Sequence, residues 1–221
     1  TSTIGGDLNV TVGGGNSLNV TGAATAGGLI SLLADDDIIF TASGDLTTTT
    51  GNISVTANND SDSSGSGGAL TMVDGTVFDA GSGTLALSAD EDITLGLLQT
   101  TSSSDTAVTL TSTRGGVFDG DSDSSLDIDA ANGRLVADVV TGFGTEFNAI
   151  ETKVKSLDID NTTSGDINIF ESDAIEIFKI DQAGSGNIDV SYQGSISGID
   201  NAVVSFTGTP KGVVTFTRRD I

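Results

Sequence analysis

The chain of 221 residues contains no Cys, no His and no Trp, and only one Pro, one Met and one Tyr. Without Cys there are no disulfides, thiolate metal sites or thiol nucleophiles. Without His there is no imidazole acid–base chemistry near neutral pH. With a single proline, Pro210, turns must be made by Gly, Asn, Asp and Ser. Basic residues are also scarce: 8 Lys and Arg stand against 31 Asp and Glu, for a net charge of −23. Such a field opposes binding to nucleic acid or anionic membranes and favours solubility and cation uptake. No apolar run approaches the length of about 20 residues that a membrane helix needs. Neither an initiator Met nor a signal-peptide pattern is present, so residues 1–221 read as one domain cut from a longer chain.

What is abundant is small and turn-prone. There are 30 Gly, and only five of the acids are Glu (Glu91, Glu146, Glu151, Glu171 and Glu176). That is a poor composition for helices. A short phrase recurs throughout: a Gly, Asp, Asn or Ser step, then apolar, polar, apolar. It is read in "GDLNV" (6–10), "GLISL" (28–32), "GNISV" (51–55), "GTLAL" (83–87), "EDITL" (91–95), "KSLDI" (155–159) and "GNIDV" (186–190). In "GDINIFESDAIEIFKI" (165–180) it is spoken twice in succession. Period-2 alternation over three to five residues is the pattern of a short strand with one buried face. Even 146–157, "EFNAIETKVKSL", the best helical candidate, is better read as extended.

Summed in pairs, the phrases return about every 20 to 24 residues, which is the period of a solenoid. The expected fold is therefore all-β: a parallel β-helix (β-solenoid) of about ten coils of roughly 20–24 residues, a rod on the order of 50 Å long. Two tandem β-sandwiches fit less well, because the strands are short and evenly spaced and no linker divides the chain. "GTVFD" (75–79) echoes as "GGVFD" (115–119), which places Phe78 and Phe118 in one interior column, two turns apart. Within 165–180, Ile167, Ile169, Ile175 and Ile177 should point inward and Asn168 and Glu176 outward. Phe170, Phe178 and Ile180 should extend the buried column or cover its corner.

Residues 111–178 resemble the repeats of filamentous-haemagglutinin-like exoproteins, the giant adhesins of two-partner secretion. The resemblance rests on Gly115-Gly116-Val117-Phe118-Asp119, then Leu126 and Ile128, then Gly142-Phe143-Gly144 with Ile150-Glu151-Thr152, then "SGDINIFESDAIEI". It implies right-handed β-helical coils forming an extracellular stalk on a bacterial surface. The secretion domain that opens such proteins, with its Asn-Pro signature, has no counterpart here, so the segment would be internal or C-terminal.

The only titratable constellations are Asp clusters: "ADDDII" (34–39), "NNDSDSS" (58–64) and "FDGDSDSS" (118–125). Alternating Asp in a turn supplies oxygens of the kind Ca²⁺ takes, which makes Asp119, Asp121 and Asp123 the candidate ligands. Neither an EF-hand loop nor the Ca²⁺-binding nonapeptide repeat is matched, and Asp also favours turns for its own sake. Catalytic residues are not expected: Arg114 and Arg134 are isolated bases and Tyr192 is the lone Tyr. Three functions follow in descending order. The first is a structural stalk or filament whose copies stack head-to-tail, aided by the basic tail of Lys211, Arg218 and Arg219 against an acidic N-terminal half. The second is an adhesin module for a carbohydrate or protein receptor, which an exposed aromatic patch would favour. The third is a polysaccharide-cleaving enzyme.

Overall fold

A computed structural model describes residues 2–58, 67–121, 123–198, 203–206 and 212–219. Among these residues every regular element is a strand, and the strands stack in parallel as a β-solenoid of about nine turns. Leu8 stacks on Ile30, then Ile53, Leu85, Val108, Leu135 and Leu157, so successive turns are 22, 23, 32, 23, 27 and 22 residues long. Four of the six fall in the expected range. The 32-residue turn contains the Ser/Asp/Gly stretch 59–66, which lies outside the described residues. The 27-residue turn contains the Asp-rich loop 120–126.

Each early turn has three faces. One carries Ser2–Ile4, Ala24–Ala26, Leu46–Thr48, Val77–Asp79 and Leu97–Gln99. The second carries Leu8–Val12, Ile30–Ala34, Ile53–Thr56, Leu85–Ala89 and Val108–Ser112. The third carries Leu18–Val20, Ile38–Phe40, Leu70–Met72, Ile93–Leu95 and Val117–Asp119. Beyond it the first two faces run together in the long strands Ile128–Val139 and Ile150–Asn161, which pair with a register break between Ala130 and Arg134. The 150–157 stretch is thus extended, as its alternation implied.

Inside, Leu, Ile, Val and Phe side chains fill one continuous core. Phe40 and Phe78 meet edge to face at 4.7 Å between ring centroids. The corners are lined with polar groups that satisfy turn carbonyls. Thr48 Oγ1 donates to Gly51 O (2.6 Å) and Thr100 Oγ1 to Gly83 O (2.6 Å). Asn161 Nδ2 donates to Ser164 O (2.9 Å) and to Gln182 Oε1 (2.8 Å), while Gln182 Nε2 reaches Gly165 O (2.7 Å). A buried carbonyl left without a donor costs about 1–3 kcal/mol, so these inward polar side chains are part of the fold. Gly165 itself turns at φ +81°, and a Cβ there would sit 1.9 Å from Thr141 O.

Two expectations about aromatic residues are corrected. Phe78 is buried, opposite Leu46 and Leu98 on the first face, whereas Phe118 pairs with Thr94 on the third face and points outward. In "GGVFD" it is Val117 that enters the core. The two similar phrases are slipped by one residue against the pleat, and a one-residue slip exchanges the faces. In 165–180 the four isoleucines do point inward, and so does Ile180. Phe178 does not: it is 47% exposed. The register breaks there, Leu157 pairing with Ile177 but Asp158 with Lys179, so Phe178 is the extra residue of a bulge. Its ring instead carries the Arg134 guanidinium at 3.7 Å.

Candidate metal centre

An Asp-rich loop lengthens the 27-residue turn after the strand Val117–Asp119. Three successive hydrogen bonds shape it: Asp121 N–H donates to Asp119 Oδ1 (2.9 Å), Asp123 N–H to Asp121 Oδ1 (2.8 Å) and Ser125 N–H to Asp123 Oδ1 (2.5 Å). Each carboxylate caps the amide two residues ahead, which is the turn chemistry that makes Asp frequent in loops. The loop is also tied to a neighbouring hairpin. Asn148 Nδ2 donates to Asp121 O (2.7 Å), Thr145 and Asn148 bridge each other, and Asn168 Nδ2 donates to Thr145 O (2.5 Å).

Beneath the loop lie two acids that strand alternation points outward. Ile128 and Thr152 face the core in register, so their neighbours Asp127 and Glu151 face away from it, one above the other. Asp127 N–H donates to Glu151 O (2.9 Å), and Glu151 N–H donates to Asp127 Oδ2 (2.8 Å). An outward acid on a solenoid is normally wet. These two are only 4% and 7% exposed. Asp119, the last residue of the strand Val117–Asp119, joins them, and one carboxylate oxygen from each of Asp119, Asp127 and Glu151 lies within 4.8 Å of the others.

The electrostatics are unfavourable as they stand. Burial, reinforced by the neighbouring acids Asp119 and Glu151, pushes the Asp127 carboxyl well above the usual carboxylate range. Burial likewise raises Glu151, with Asp119 and Asp121 adding to it. The ion pairs among the described residues lie elsewhere: Arg114 with Asp90 and Glu91, Arg134 with Asp105, and Lys179 with Asp160. Asp119 Oδ2 is fully shielded and accepts no hydrogen bond. Such a group must either hold protons or enclose a cation.

Of the ligands expected from sequence, Asp119 is in this cluster, while Asp121 and Asp123 stand along the loop, each with one oxygen committed to a backbone amide. Asp127 and Glu151 were not singled out. The available signal was their spacing of one turn, which stacks two outward acids, but it acquires meaning only once the register is known. Of the "NNDSDSS" cluster, residues 59–64 lie outside the described residues.

Beside the centre runs a groove of about 610 Å³, lined by Glu151 together with Asp123, Asn148, Phe170, Asp189 and Arg219. At its rim, the tip of the 145–148 hairpin presents Phe147, 90% exposed. The Arg219 guanidinium lies 5.3 Å from the Phe170 ring on this same face. Comparison with protein-family models, with curated proteins and with solved structures finds no match to this chain.

Proposed function

We propose that this solenoid is a structural segment, a stalk or filament piece of an extracellular bacterial surface protein of the filamentous-haemagglutinin-like kind. The observation that carries the reading is the first turn. Its apolar residues Leu8, Val10, Leu18, Val20 and Ala24 are only partly covered and, with Leu32 and Leu46, line an open hollow of about 320 Å³. Buried rungs elsewhere in the rod have the same composition and are closed by the next turn. An open rung of this kind presents unpaired strand edges and bare interior side chains, and both are satisfied by one more coil. That coil comes from the parent chain or from a second copy stacked head-to-tail, the arrangement that generates an open fibre. The net charge of −23 keeps the sides of such rods apart. The test is electron microscopy and sedimentation of the purified segment over a range of salt, with Val10→Asp and Leu18→Asp placed at the open rung. End-to-end oligomers that the two substitutions abolish support the reading; dispersed monomers under all conditions refute self-stacking.

A second reading rests on Phe147. Packing of the rod has no use for an aromatic ring held out on a hairpin tip beside a polar groove. A ring above hydrogen-bonding side chains is the usual make-up of a site for a carbohydrate or protein receptor. In this reading the stalk also carries an adhesive face. A glycan array without hits, together with unchanged cell attachment by Phe147→Ala, would remove it.

A further inference from the structure

We propose that Asp119, Asp127 and Glu151 together bind one hard divalent cation, best matched by Ca²⁺, which fastens the loop 119–125 to the side of the solenoid. The geometry points there first. Ca²⁺ binds oxygen at about 2.3–2.6 Å, so ligands on one ion stand up to about 5 Å apart. The three carboxylate oxygens, within 4.8 Å of one another, fall inside that span. They arrive from three separate places: the end of the strand Val117–Asp119, the residue before the strand Ile128–Val139, and the next turn. A cation among them joins segments that are distant in the chain.

Burial is the second, independent observation. Asp127 and Glu151 are more than nine-tenths buried, and the Glu151 carboxyl turns toward that of Asp127, not toward a Lys or Arg of the described residues. Asp119 Oδ2 is shielded from solvent and has no hydrogen-bond partner. A plain solvated acidic face would leave these oxygens in water. Here hydrogen bonds from Asn148 to Asp121 and along the three Asp turns fix the loop that Asp119 opens. The fold therefore holds three carboxyls against one another, two of them on buried residues. A divalent ion offsets the cost of doing so, because it neutralises two charges and accepts all three oxygens. The adjoining groove reaches Glu151 and supplies the entry path, with room for the water ligands that complete a shell of six to eight oxygens.

The test uses the whole chain, stripped with chelator and dialysed near pH 7.5. Calorimetric titration with CaCl₂ is expected to show one ion per chain with Kd below about 1 mM, and saturating Ca²⁺ to raise Tm by several degrees. Amide exchange should slow at residues 121–125. Asp127→Asn and Glu151→Gln should each weaken binding at least tenfold while keeping the β-sheet circular dichroism of the parent. Asp119→Asn, nearer the surface, serves if either of those fails to fold. Absence of heat and of any Tm change with Ca²⁺ overturns the proposal and leaves a cluster held by protons alone. Binding that survives unchanged in all three variants also overturns it, by placing the ion elsewhere. The outcome is separate from stacking, since the titration counts ions per chain whether or not the rods stack.

Discussion

Glu171 offers a direct test of how the interior of the rod tolerates charge. It is fully buried, facing inward one turn above Thr152. Its Oε2 accepts hydrogen bonds from Thr152 Oγ1 (2.9 Å) and Val154 N–H (3.2 Å), and its Oε1 from Asp173 N–H (3.2 Å). Burial nevertheless dominates those bonds and pushes the carboxyl up from 4.5 to about 8. The folded state therefore holds a proton that the unfolded chain has released between these values. Its contribution is present in full below about pH 4.5, falls as pH rises, and reaches its minimum above about pH 8. At about 1.4 kcal/mol per unit, ionisation weakens the fold by up to about 5 kcal/mol across that window. Glu171→Gln removes the titration, but its amide NH₂ cannot accept from Asp173 N–H, a loss of about 1 kcal/mol. The two stability curves should cross. Near pH 4 the parent is the more stable by a little under about 1 kcal/mol, the curves cross close to pH 5, and at pH 8.5 the variant is the more stable by several. Urea unfolding of both proteins at half-unit steps from pH 4 to 9 reads the difference, in which the other titrating groups largely cancel. A difference that stays flat with pH would falsify the account of Glu171 as a proton-holding interior acid.

Three further outcomes are expected. Phe78→Ala, which removes one ring of the Phe40–Phe78 pair, should cost about 3–5 kcal/mol in denaturant unfolding, whereas Phe118→Ala on the outer face should cost far less. Equal costs would mean that the assigned register is wrong. Gly165→Ala should destabilise by at least about 2 kcal/mol, since the residue turns at φ +81° and the new methyl meets Thr141 O; a neutral result by thermal melting would contradict that turn. Phe147→Ala should leave Tm within about one degree of the parent, because an exposed tip residue contributes little to packing. A large loss of stability there would show that the ring is structural and would remove its claim to a binding role.

Much of this architecture is written in local pattern. Alternation in "GDINIF" or "GTLAL" selects a strand with one apolar face, and recurrence at a fixed spacing says that the faces stack. Neither inference needs a distant contact, so the parallel solenoid, the turn length and the inward isoleucines of 165–180 were all legible. The faces of Phe78 and Phe118 were not, because "GTVFD" and "GGVFD" are almost the same words set one residue apart on the pleat. Phe178 was misplaced for a related reason: a bulge is a disagreement between two neighbouring turns and is invisible in either one alone.

The acidic centre marks the same boundary. From sequence, Asp119, Asp121 and Asp123 belong together because they are adjacent, and Asp127 and Glu151 are ordinary outer-face residues. Adjacency in a loop spends carboxylates on the loop's own amides, whereas stacking across turns brings separate carboxylates within 4.8 Å. Alternation alone thus determined that Asp127 and Glu151 point away from the core. Only the tertiary structure decided that they are buried and share their site with Asp119, because burial depends on what packs against a residue and not on its own stretch of chain.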